Sequence, residues 1–103
     1  MPTMIVLVNL KEGASPEEYE RWIRETYSPA VKSLKSIGDW RGYRTVGALE
    51  SNFAPPYRYI VVVEVENLEQ LGKDVASEEM QRLLTELGQF AEPPTQIMTE
   101  RFA

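Results

Sequence analysis

The chain contains no cysteine and no histidine. Without cysteine there are no disulfides, thiolate metal sites or cysteine nucleophiles, and nothing ties the protein to an oxidising compartment. Without histidine the usual general base near neutral pH is gone, together with Ser-His-Asp and Cys-His arrangements, a histidine-ligated haem and nearly all zinc sites. Positive charge is scarce: 11 Lys and Arg face 16 Asp and Glu, for a net charge of −5. No basic run offers a broad phosphate-binding surface, so nucleic acid is not an expected partner. Apolar runs such as Ile60 to Val63 are far shorter than the ~20 residues that span a bilayer, and no membrane partner is expected. Met1 to Leu10 lacks both a basic region and a small-residue cleavage pattern, so it reads as a strand rather than a signal peptide and the cytoplasm is the expected location. A length of 103 residues fits one domain, 1–103, with a core large enough to fold without staples.

What the chain does have is a strong amphipathic pattern from Ser15 to Leu34. Tyr19, Trp22, Ile23, Thr26, Tyr27, Ala30, Val31 and Leu34 recur at the spacing of one helix face. Glu17, Glu20, Arg21, Arg24, Glu25, Lys32 and Lys35 occupy the other, with Glu17 before Arg21 and Glu20 before Arg24 in the favourable order for helical ion pairs. This charged face reads as solvated and stabilising. Ser15, Pro16 and Glu18 form the start signal: a cap, a proline in the first turn and a Ser-x-x-Glu capping box. Pro29 cannot donate to the Glu25 carbonyl and crowds it, so a kink or break is expected near Thr26 to Ser28. Tyr27 sits at that break. Its hydroxyl either lines a cavity or caps a freed carbonyl.

Strands are expected over Met4–Leu10, Trp40–Leu49 and Tyr57–Val65 from their Val, Ile and aromatic content. Gly42 and Gly47 suggest bulges in the second. Asn9 interrupts the apolar pattern of the first, and its amide either orients a polar group of a ligand or satisfies loop backbone. Ile37-Gly38-Asp39 reads as a turn, and 50–56, with its Pro-Pro pair, as a long connection at one rim. In the third strand Tyr59, Val61, Val63 and Val65 share one face, while Ile60 and Val62 precede Glu64 on the other. Asn67 caps a weak helix, Ser77 opens a stronger one that Gly88 can end, and Thr95 to Phe102 alternates as a last strand.

The order strand, helix, strand, strand, helix, strand is the ferredoxin-like βαββαβ pattern of an α+β protein, an antiparallel sheet with two helices on one face. The opposite sheet face then exposes Ile60 and Val62, or Val61 and Val63. Burying apolar surface gains about 25 cal/mol per Å², so a second copy across a two-fold axis is the simplest cover, and a homodimer is expected.

Tyr19-x-x-Trp22, Tyr27-x-Pro29, Leu34, Gly38 and Tyr43 together resemble the dimeric α/β-barrel superfamily, above all its EthD-like and RedY/HapK-like proteins. The likeness runs over almost the whole chain. It implies two ferredoxin-like sheets facing each other, with ligand pockets between sheet and helices. EthD-like sequences commonly carry His before the x-Pro element where this chain has Tyr27, so no histidine-dependent role and no haem carries over. Cofactor-free monooxygenases of the superfamily place Asn, Trp and Tyr in the pocket, and here Asn9, Trp22 and Tyr27 could supply them.

The resemblance thus implies a small-molecule-binding dimer, a cofactor-free tailoring enzyme of aromatic or polyketide-like, pigment-type metabolites. Its expected ligand-binding residues are Asn9, Trp22, Tyr27 and Tyr43, with no metal and no cofactor. The residues by themselves single out no catalytic group, since no nucleophile stands beside a base. They leave open a non-catalytic ligand-binding or pathway-partner dimer, and a purely structural use of Trp22 and Tyr27 as core filling.

Overall fold

The computed structural model describes residues 2–50 and 52–103. Met1, in the N-terminal apolar stretch, and Ser51, in the expected 50–56 connection, lie outside the described residues. In chain order the elements are β1 (Thr3–Val8), α1 (Pro16–Trp22), a π-helical turn (Ile23–Tyr27), α2 (Ser28–Lys32), β2 (Ile37–Arg44), β3 (Tyr59–Val65), α3 (Leu68–Val75), α4 (Glu78–Phe90) and β4 (Thr95–Thr99). The four strands form one antiparallel sheet in the order β2-β3-β1-β4. This is the expected ferredoxin-like arrangement, with the second helical segment split into α3 and α4.

Register sorts the side chains onto two faces. Val8 pairs with Tyr59, Val6 with Val61 and Met4 with Val63; Trp40 also pairs with Val63, Gly42 with Val61 and Arg44 with Tyr59. This is the face under the helices, and Tyr59, Val61, Val63 and Val65 are buried there. The other face carries Ile5 opposite Val62 and Ile97, and Leu7 opposite Ile60, with Tyr43 beside Ile60 and Arg41 beside Val62. Thr3 donates to Glu64 at 2.8 Å on this face, and Arg41 pairs with Glu64 at 3.5 Å. A central apolar strip with a charged margin is therefore uncovered in the single chain.

Of the kink or break expected before Pro29, the break does not occur; the α-helical ladder is instead interrupted by the π turn at Ile23–Tyr27. Ser28 keeps helical angles, φ −60 and ψ −46, and its N–H donates to the Ile23 carbonyl five residues back. Shifting the ladder by one residue widens the turn and makes room for the proline ring, the usual way a π turn absorbs a local conflict. The entry to α1 follows the sequence: Ser15 Oγ accepts from the Glu18 N–H at 3.2 Å. Asn67 and Ser77 cap α3 and α4 in the same way, at 2.9 and 3.3 Å.

Several boundaries differ from expectation: β1 ends at Val8, α2 at Lys32 and β4 at Thr99, and β3 begins at Tyr59. β2 begins at Ile37, with a register shift between Ile37 and Asp39 where a turn was expected; Gly38 fits there because an added Cβ would meet the Glu66 side chain at 3.0 Å. β2 ends at Arg44, although Thr45 continues the ladder by donating to the Arg58 carbonyl at 2.8 Å. α4 runs through Gly88 to Phe90, because Leu87, Gly88 and Phe90 pack inward and the following Pro93-Pro94 supplies the stop.

Candidate functional site

The stripe of α1, the π turn and α2 that faces the sheet does not close onto it. Between this helical rod, α4 and the sheet lies a cavity of about 500 Å³, floored by Met4, Val6, Val61 and Val63 and walled by Ile23, Tyr27, Val31, Trp40, Leu84 and Leu87. Its polar lining is confined to Tyr19, Tyr27, backbone edges and, at one end, Lys11, Glu92 and Gln96. An apolar space of this size with few polar groups is the make-up of a small-molecule site.

Aromatic rings form a continuous line through this region. Trp40 meets Tyr27 edge-on at 6.1 Å between centroids, Tyr27 lies 5.3 Å from Trp22, Trp22 5.5 Å from Phe90, Phe90 6.0 Å from Tyr19, and Tyr19 4.8 Å from Tyr59. These are favourable tilted and edge-to-face spacings. The Trp22 indole N–H donates to Glu86 on α4 at 3.1 Å, which fixes the ring behind Tyr27. The Tyr27 hydroxyl makes no hydrogen bond to protein among the described residues, so it does not cap a helix carbonyl, and burial raises its pKa. Tyr19, also without a hydrogen-bond partner for its hydroxyl, is likewise raised, first by burial and then by the neighbouring Tyr59 and Tyr27. Both phenols are therefore neutral donors at ordinary pH, not bases.

A second space, a groove of about 500 Å³, runs along the outer side of the rod against the β2 edge. Tyr19, Ile23, Trp40 and Val61 border both the groove and the cavity. Over its floor Glu20 accepts from Arg44 Nε and Nη2 at 2.9 and 2.8 Å and from the Tyr59 hydroxyl at 2.7 Å. Arg44, then the Tyr59 hydrogen bond, hold its pKa below the usual carboxylate value against some desolvation. Glu20 also meets Arg24 at 3.7 Å, the helical pair expected from sequence.

Trp22 and Tyr27 are brought together as expected, although Trp22 supports the cavity wall from behind. Asn9 and Tyr43 do not join them. The Asn9 amide donates to the Pro56 carbonyl and accepts from the Arg58 N–H, both at 2.9 Å, so it ties the end of β1 to the β2–β3 connection. Tyr43, paired with Ile60, belongs by register to the helix-free sheet face and is 52% exposed; strand alternation puts it opposite Trp40 in orientation. The sequence reading missed Trp40, Tyr59 and Arg44, and it placed Glu20 among solvated charges. A polar-tipped Tyr59 on an otherwise valine face was the one available signal. Among the described residues, no group of three or more acidic side chains is placed to hold a metal ion.

An antiparallel β2-β3-β1-β4 sheet with helices over one face and an apolar cavity between the layers defines a ferredoxin-like α+β protein with room for a small molecule. The model of the REDY-like protein HapK family matches residues 2–102, and the chain belongs to that family. Its fold is similar to the crystal structure of HapK from Hahella chejuensis, with a TM-score of 0.81 and 20% identity over 99% of this chain and 93% of that one. It is also similar to a dimeric ferredoxin-like protein of unknown function from Thermobifida fusca, with a TM-score of 0.74 and 12% identity over 95% and 88% of the two chains. SnoaB, a cofactor-independent oxygenase from Streptomyces nogalater, superposes with a TM-score of 0.75 and 10% identity over 99% and 93%. Among curated proteins, none matches the chain. Among the described residues no helix is long and apolar enough to cross a membrane.

Proposed function

We propose that this protein is a homodimer, joined through its helix-free sheet faces, that takes a small aromatic or polyketide-like molecule into the cavity under α1 and α2. The observation that carries the reading is the Tyr27 hydroxyl: a protonated donor without a protein partner, in the wall of an apolar cavity of about 500 Å³. The Tyr27 oxygen is accessible rather than sealed in the core, so a ligand oxygen entering the cavity can accept from it in place of water. Trp40 in the cavity wall supplies flat apolar surface for a ring system, and Trp22 backs Tyr27. The dimeric relative and the apolar strip of Ile5, Leu7, Ile60, Val62 and Ile97 support the assembly.

The chemistry that fits is cofactor-free tailoring of an acidic phenol, which loses its proton to solvent water and whose electron-rich anion is then the reductant for dioxygen as oxidant. A neutral phenol aimed at a ligand oxygen stabilises negative charge that develops there, and the dry cavity strengthens the effect. The cofactor-independent oxygenase among the fold relatives supports this reading. A non-catalytic binding role has one observation in its favour: the carboxylate of the adjoining groove, Glu20, is already held by Arg44 and Tyr59. Turnover of a bound phenol under air separates the two.

Binding itself is tested with 2-naphthol. The chain has two tryptophans, Trp22 and Trp40, and both rings lie against Tyr27. In nitrogen-15 NMR spectra both indole N–H signals are expected to shift saturably with one equivalent per chain. Unmoved signals up to the solubility limit of the probe would overturn the reading.

A further inference from the structure

The cavity and the groove lie on adjacent stripes of one helical rod. Ile23, Tyr27 and Val31 face the cavity, while Arg24, Ser28 and Lys32, each one residue on, face the groove. The groove is lined by the cationic side chains of Arg24, Lys32 and Arg44 and by one carboxylate, Glu20, in a chain of net charge −5, whereas Arg41 borders it from the β2 strand with its side chain on the other sheet face. The cations are not equally free. Arg44 is closed onto Glu20 at 2.8 Å, and Arg41 pairs with Asp39 and Glu64 at 3.2 and 3.5 Å.

Arg24 and Lys32 are different. Lys32 has no ion pair among the described residues. Arg24 reaches Glu20 only at 3.7 Å and stays 68% exposed, because the Glu20 oxygens already accept from Arg44 and Tyr59. One unpaired and one weakly paired cation thus flank Ser28 over a cleft whose inner wall, Tyr19, Ile23, Trp40 and Val61, is also wall of the apolar cavity. A local positive field on an acidic protein concentrates anions in that groove.

We infer that the ligand is an aromatic acid: its ring system enters the cavity past Ile23 and Trp40, and its carboxylate stays in the groove on Arg24 and Lys32. The inference rests on the cavity being the binding site proposed above and adds the charge of the ligand and the end at which it enters. Lys11 and Glu92, at the far end of the cavity, carry opposite charges and offer no such preference. Arg44 acts through Glu20 as a positioning residue, since it removes the carboxylate that would otherwise neutralise Arg24.

Calorimetric titration with 6-hydroxy-2-naphthoate and with the neutral 6-hydroxy-2-naphthamide tests this. The acid is expected to bind the native protein about tenfold more tightly than the amide in 20 mM salt. That preference is expected to collapse at 0.5 M salt, where the screening length falls to a few Å, and in the double variant Arg24→Gln, Lys32→Gln. Both positions are exposed, so the melting temperature is expected to stay as in the parent, while affinity for the acid is expected to fall further than affinity for the amide. If acid and amide bind alike, or the double variant keeps the preference, the carboxylate site is overturned while the cavity reading stands. If neither compound binds, both fall.

Discussion

Glu20 on α1 and Arg44 at the end of β2 are joined by a two-point ion pair, with both contacts at 2.8–2.9 Å, across 24 residues of sequence. The contact pins the helical rod to an edge strand and leaves the groove between them open. The paired geometry is the strong form of a carboxylate–guanidinium contact. Tyr59 adds a third donor from the central sheet.

This relationship predicts a pH signature. Because the folded Glu20 pKa lies below its usual value near 4.5, mainly through Arg44, its contribution to stability is present above that value and lost as pH falls through the folded pKa. Glu20→Gln is expected to lower the melting temperature at pH 7, and the gap to the parent is expected to shrink steadily below pH 4.5. A gap of the same size at pH 7 and pH 3 would contradict the assignment.

The two faces of β3 give a paired test of assembly. Val62→Glu puts a charge on the helix-free face and is expected to leave a folded monomer by light scattering at micromolar concentration. Val61→Glu puts the same charge beneath the helices, where Val61 is 6% exposed, and is expected to damage the fold of each chain. Burial of an unpaired charge belongs to the most destabilising class of substitutions. Equal loss of dimer and of stability in the two variants would contradict the assigned faces.

Trp22 separates support from wall. Its ring packs on Tyr27 and Phe90 and donates to Glu86 but is only half-buried, so Trp22→Ala is expected to cost about 2–4 kcal/mol, near the lower end for a large core aromatic. Arg21→Ala, at an exposed position of the same helix, is expected to cost about 0.5 kcal/mol or less. Urea denaturation measures both. An unchanged midpoint for Trp22→Ala would remove it from the supporting layer.

Periodicity made the ferredoxin-like order and the split of β3 into a buried valine face and an outward Ile60–Val62 face legible, because local alternation alone decides them. The meeting of Trp22 with Tyr27 was legible for the same reason: both belong to one helical stripe. Glu20 with Arg44 was not, since the contact depends on how the rod crosses β2. Asn9 was read in two ways, and only the position of the 56–58 backbone decides that its amide is used there. Tyr43 entered the expected pocket through the family resemblance; strand alternation puts it opposite Trp40, and only the packing of the helices decides that Trp40 is the inward one. Pro29 signals a kink or break from sequence, and the place of the irregularity is legible; its form as a π turn is not, because it depends on Val31 and Ala30 packing on the core.

The central claim is that the Tyr27 hydroxyl serves a ligand and not the fold, and Tyr27→Phe tests it most directly. The ring remains and the hydroxyl has no protein partner, so stability in urea is expected to stay within about 1 kcal/mol of the parent, the size of one net hydrogen bond. The dissociation constant for 2-naphthol, measured by calorimetry on the same samples, is expected to rise about five- to tenfold. Full 2-naphthol affinity combined with a loss of stability would contradict the account and return Tyr27 to the core.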